Sequence, residues 1–151
     1  MGLNPRATES STADESYLDA PYLSIRWRGV PHILYAEWKG FATSAEFRAA
    51  LLTGVRAIRE HNVVGYVSDA RRAKVFLAED MMWVKEVWLP QAVGAGLKRM
   101  AMVTAESGIG KALIEHITEE INDHGLAMRK FNSIPAATTW ALTGLIEPGI
   151  A

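Results

Sequence analysis

From Tyr22 onward the hydrophobic spacing of this chain switches repeatedly between two residues and about 3.6. A spacing of two lines one face of a strand, and a spacing of 3.6 lines one stripe of a helix. Tyr22 to Arg28 (YLSIRWR) and His32 to Gly40 (HILYAEWKG) alternate as strands, separated only by Gly29-Val30-Pro31. So short a link implies an antiparallel hairpin. Beyond it, the strand-like runs Val64–Ala70, Lys98–Ala105 and Leu126–Asn132 are each preceded and followed by helix-like runs. A helix between two strands is a crossover, and right-handed crossovers build a parallel sheet. The expected order is β-β-α-β-α-β-α-β-α. That is an α/β fold with a five-stranded mixed, mostly parallel sheet, in which the N-terminal hairpin strand runs antiparallel.

Local punctuation agrees. Thr43-Ser44-Ala45-Glu46 is a capping box, and Phe47, Leu51, Val55 and Ile58 follow it at core spacing, up to an end near His61-Asn62. Ser107 and Ser133 stand where N-caps belong. Behind Ser107, Ile109, Leu113, Ile114, Ile117 and Ile121 form an apolar stripe that Gly125 closes. The last helix runs through Trp140 and Leu142. Residues 1–20 are polar, without periodicity, and are expected to form a disordered N-terminal tail. The folded domain is expected over 21–143, with a frayed tail at 144–151.

One helix is anomalous. Met81 to Val93 (MMWVKEVWLPQAV) holds two of the five tryptophans, two methionines and a proline. On a helical wheel Met81, Val84, Trp88 and Ala92 share one side. Met82 and Leu89 lie round the corner, and Trp83 and Val87 continue towards the back. A surface helix buries one stripe, so this one implies a second contact: a partner subunit, an apolar ligand or a membrane surface. Pro90 removes a backbone hydrogen bond, which predicts a kink or break near Val87 to Leu89. Gly94 and Gly96 end the helix.

Composition removes several classes. The chain has 151 residues, 49% hydrophobic and 22% charged, the size and make-up of one globular domain. It has no cysteine, which excludes disulfides, thiolate nucleophiles and cysteine-held metals. The net charge is −1 with no basic stripe, which argues against nucleic acid as a partner. No apolar run approaches the roughly 20 residues that span a bilayer. The start, MGLNPRATESSTADES, lacks a signal-peptide pattern, so the expected compartment is the cytoplasm. Arg6 stands where a myristoylation site needs Ser or Thr.

No catalytic constellation emerges. Glu106-Ser107-Gly108-Ile109-Gly110-Lys111 resembles a phosphate loop, but Ala105 and Ala112 occupy positions that need Gly and Ser or Thr. The free amides at that helix start remain a candidate anion site with Ser107. Asp69 ends the third strand, with Arg71 and Arg72 just beyond. Ligands collect at that edge of open α/β sheets. The simpler role of Asp69 is to accept loop amides and pair with an arginine. An enzyme here would need Asp69 and Glu106 to act together, with Arg71 nearby. His32, His61, His116 and His124 show no metal-ligand spacing, so no metal and no cofactor is expected.

The order of elements and several phrases resemble the STAS/SEC14 group, with its SpoIIAA-like fold. These are ILYAEWKGFATSAEF, VSDARR, VWLPQAVGAGLKRMAMV and GLAMRKFNSIPAATTWAL, within about residues 22 to 143. The resemblance implies a four-turn β/α superhelix. In anti-sigma-factor antagonists of this fold, a serine at the start of the helix after the central strand is phosphorylated. Here the stretch reads Ser68-Asp69-Ala70-Arg71-Arg72, with Ser68 ahead of the aspartate, so that site does not carry over. Other members look like carriers of apolar ligands or membrane-associating proteins.

Three functions follow as expectations. The first is a non-catalytic binding module that docks a protein partner or its own copy, as a homodimer, through Met81, Met82, Trp83, Val87, Trp88 and Leu89. The second is a carrier or sensor of an apolar small molecule or lipid, held between the sheet and this helix, with membrane association as a further option. The third is an enzyme at the Asp69 edge. The helix is then either a lid or half of a dimer seam.

Overall fold

The structure is a computed structural model and describes residues 14–73, 77–105, 111–122 and 124–146. Among them, six strands form one sheet: β1 (Glu15–Asp19), β2 (Leu23–Arg28), β3 (Ile33–Trp38), β4 (Gly65–Asp69), β5 (Arg99–Val103) and β6 (Ala127–Phe131). They lie side by side in chain order. β2 pairs antiparallel with β1 and β3, and β3 to β6 are parallel. The α/β class and the antiparallel hairpin strand, β2, are as the sequence predicts.

The sheet has one strand more than the sequence reading expects. Glu15–Asp19 lies within the segment read as a disordered tail, and it is an edge strand. Its pairing with β2 slips between Ser16 and Leu18, a bulge that leaves Tyr17 out of the ladder. Tyr17 reaches instead to Glu60 and lies edge-on to His61. Residues 1–13 of the expected tail, and 147–151 of the C-terminal one, are outside the described residues.

Helix α1 (Ser44–His61) follows β3. Thr43 and Glu46 form the capping box, with reciprocal bonds of 3.2 and 2.9 Å, and Asn62 ends the helix in the left-handed conformation. After β4 comes α2 (Ala78–Trp83), which runs through a wide π turn (Val84–Trp88) into α3 (Leu89–Gly94). These three form the Trp/Met helix. The Leu89 amide bonds five residues back, to the Val84 carbonyl. The irregularity predicted ahead of Pro90 therefore takes the form of a π turn, which absorbs the missing donor without breaking the helix. Gly96, at φ +113°, closes α3, with bonds from Gly96 to Val93 and from Leu97 to Ala92. α4 (Lys111–Asn122) precedes β6, and α5 (Ile134–Thr143), capped by Ser133, follows it.

Strand order explains the layers. Right-handed crossovers that always step the same way put their helices on one face of the sheet. α1, the Trp/Met helix and α4 share one core with the strand residues of that face, including Leu34, Tyr66, Met100 and Met128. The opposite face carries α5, where Ala137, Trp140 and Ala141 pack on Ile33, Val67, Ala101 and Val103. Arg99 fastens the end of α5 by donating to the Ala141 and Leu142 carbonyls, both at 2.9 Å.

The Trp/Met helix is the middle one of three. It rests on the sheet and touches α1 on one flank and α4 on the other. These flanks bury Met81, Trp88 and Leu89, while Met82 and Val87 stay exposed. No helix among the described residues is long and apolar enough to cross a membrane.

Candidate ligand-binding site

A cavity of about 50 Å³ lies between the sheet and the Trp/Met helix. Strand alternation builds its floor. Trp38, Ser68, Met100, Met102 and Met128 are alternate residues that all point towards the helical layer. Phe47 and Leu51 of α1 form one wall, and Ile117 and Ile121 of α4 another. Met81, Val84 and Trp88 of the Trp/Met helix form the roof. Four of these residues are methionines, whose unbranched thioethers adapt to different shapes.

The polar atoms are few and well defined. The Trp38 indole, stacked on Phe47 at 5.3 Å, donates to the Ser68 hydroxyl at 3.1 Å. The Trp88 indole N–H is buried and finds no acceptor among the described residues. Among the described residues, none that lines the cavity carries a charge. Asp80 lies outside the lining. It is 3% exposed and ties α2 to α1, accepting from Ser44 at 2.9 Å and from Arg48 at 3.1 Å. Arg48 also lies 5.5 Å over the Trp83 ring.

Of the residues named from sequence as a contact surface, Met81, Trp88 and Leu89 are core residues, at 6%, 1% and 2% exposure. Trp83 is half-buried under Arg48. Met82, at 60%, and Val87, at 36%, face outward.

The Asp69 edge is a separate place. Asp69 follows Ser68 in β4 and so points to the opposite face of the sheet, away from the cavity. Its carboxylate accepts the Arg71 amide at 3.1 Å and the Arg71 guanidinium at 2.9 and 2.8 Å. Tyr35 adds a weaker bond at 3.3 Å. Burial pushes the Asp69 carboxyl up, but the hydrogen bonds from Arg71 outweigh this and hold it below its ordinary value. Burial and the Asp69 charge push the Tyr35 phenol up to about 12. Arg72 pairs with Glu37 at 3.6 Å. These groups satisfy one another, which is the simpler role expected of Asp69. Glu106 and Ser107, the other members of the proposed edge, are outside the described residues.

No protein-family model, curated protein or solved structure matches this chain. Function has to be read from these side chains.

Two features escape sequence reasoning. Glu15, Glu60 and His61 come within 4.8 Å of one another, although 46 residues separate Glu15 from His61. His61 bonds Glu15 at 3.2 Å and stacks on Trp27 at 4.4 Å, while Glu60 accepts from Tyr17. The cluster fastens β1 to the end of α1. No histidine spacing could show it, because its acids come from two elements. The cavity is the other feature. It is a shortfall of volume summed over eight elements, and no local pattern records that.

Proposed function

We propose that this protein binds a small apolar molecule in the methionine-lined cavity under the Trp/Met helix. The observation that carries the reading is the cavity itself: a gap in the core, roofed by a π turn. Protein interiors leave few such voids, and π turns recur at functional sites. Ligand pockets commonly measure about 300–1,000 Å³, so a cavity of about 50 Å³ takes a compact molecule or one end of a longer one. The resemblance to the STAS/SEC14 group and its SpoIIAA-like fold points the same way, since that group includes apolar-ligand carriers.

The test is direct. Benzene added to protein labelled with ¹³C at the methionine methyl groups should shift Met81, Met100, Met102 and Met128, and leave exposed Met82 unmoved. If the four buried methyls stay fixed at saturating benzene and also at saturating 2-methylpropene, which has four heavy atoms, the reading fails.

A second reading keeps the outer face of the helix as a docking surface for a second copy or a partner protein. It is favoured by the exposure of Met82 and Val87. Dimerisation that sedimentation detects and Met82→Glu abolishes would support it; a monomer at all concentrations would remove the self-association arm.

A further inference from the structure

We infer that the cavity's ligand is a small neutral molecule with a hydrogen-bond acceptor oxygen, such as a ketone, aldehyde or ester, received by the Trp88 indole N–H. This rests on the proposed cavity reading and names the chemistry of its occupant.

The first observation is the orphan donor. Trp88 is 1% exposed, lines the cavity, and its Nε1 has no acceptor among the described residues. Buried donors are almost always paired, because leaving one unpaired forfeits its hydration without return. Trp27 Nε1 likewise has no acceptor among the described residues. It lies against His32 and His61 and does not line the cavity, so the same reasoning does not extend to it.

The second observation is Ser68. Its hydroxyl accepts from Trp38 and so keeps its own proton to donate. Of the two polar lining residues beside Trp38, Trp88 can only donate and Ser68 has a proton to give, and the complement of two donors is an oxygen with lone pairs. Among the described residues, a donor on the ligand would find only the second lone pair of the Ser68 oxygen and methionine sulfur, a weak acceptor.

The third is charge. Among the described residues, no lysine, arginine or histidine lines the cavity. A carboxylate or phosphate buried there would have no counter-ion, which disfavours it strongly. That leaves neutral acceptor oxygens, of which a carbonyl is the strongest acceptor.

The fourth is size. A water-sized atom needs about 10–15 Å³ in such a cavity, so about 50 Å³ holds roughly four. A carbonyl compound of about four to five heavy atoms fits with the walls as they stand, and longer ones require the methionines or the π turn to yield. A single water would find two polar partners here, at the lower limit for an ordered buried water.

The experiment compares butan-2-one with 2-methylbut-1-ene, which has the same shape with a CH₂ in place of the oxygen. Both are titrated into ¹⁵N- and methionine-methyl-labelled protein. The expected result is that both shift the buried methionine methyls. Only the ketone should move the Trp88 indole N–H downfield. In Trp88→Phe the ketone should lose roughly three- to tenfold in affinity relative to the alkene. If both ligands shift the methyls and the Trp88 N–H ignores the ketone, the carbonyl assignment is overturned while the apolar-cavity reading stands. If neither ligand moves the methyls, both fall. The indole shift is read on the unmutated protein, so a poorly folded Trp88→Phe would not spoil the decision.

Discussion

Gly65, at the start of β4, lies directly against the backbone of Ala141 in α5. A methyl group on Gly65 would come within 2.4 Å of the Ala141 carbonyl oxygen and 2.8 Å of its carbon. The obstacle is backbone, which cannot rotate away. Gly65→Ala should therefore destabilise the fold by about 2–3 kcal/mol. Gly54→Ala in α1 is the control. There the new methyl meets only the Tyr66 hydroxyl, at 3.2 Å, and the gain in helix propensity of about 1 kcal/mol offsets the crowding. Urea denaturation of both variants checks the contrast. Equal costs would show that α5 slides freely and would contradict this packing.

Arg48 and Asp80 should respond unequally to mutation. Asp80 is almost fully buried, whereas the Arg48 side chain is 38% exposed. Truncating Asp80 lets the arginine turn to water; truncating Arg48 strands a buried carboxylate and also uncovers Trp83. Arg48→Ala should cost about 2–3 kcal/mol and Asp80→Ala about 1 kcal/mol less. Thermal unfolding of the two single variants measures the asymmetry.

Asp69 sets a pH dependence of definite sign. Its folded-state value lies below the ordinary carboxylate value, so the unfolded chain binds the proton more tightly. The stabilisation is then fully present above the unfolded value near 4 and is lost as pH falls through the folded one. Arg71 is 45% exposed, so water screens the pair. Asp69→Asn should cost about 1–2 kcal/mol at pH 7. Below pH 4 the variant and the parent should converge, which urea titrations across that range would reveal.

Filling the cavity should trade binding for stability. Val84 lines it, and Val84→Ile adds one methyl group. The variant should gain up to about 1 kcal/mol and bind benzene more weakly. A variant that is both less stable and equally good at binding benzene would show that Val84 faces elsewhere.

Much of this architecture is legible in the chain because its signals are local. The capping box at Thr43, the alternation of Leu23, Ile25 and Trp27 in β2, and the Ser133 cap each depend on residues within one element. β1 is hidden because it has one partner and a bulge. Tyr17 and Leu18 are partly buried side by side, which erases the period of two. The burial of Trp88 and Leu89 is hidden for a different reason. A helical wheel shows how much of a helix is apolar but not how many neighbours it has. Once three helices share one face, the middle one meets the sheet and two flanks, which buries Met81, Trp88 and Leu89 and leaves Met82 and Val87 outside. The cavity and its unpaired indole depend on side chains from β3 to β6, and only the assembled fold brings them together.

The sequential strand order also bears on how the chain is made. A ribosome releases these strands in the order in which they pair, so each new β/α unit finds its docking edge already exposed. No earlier strand has to wait for a distant later one to be inserted beside it, which keeps loop closure short and sticky edges briefly open. Among the described elements, α5 alone follows the completed sheet and must return across it to cover β4. Gly65 and Arg99 are then the receiving surface for that docking, and defects there should leave this face of the sheet uncovered.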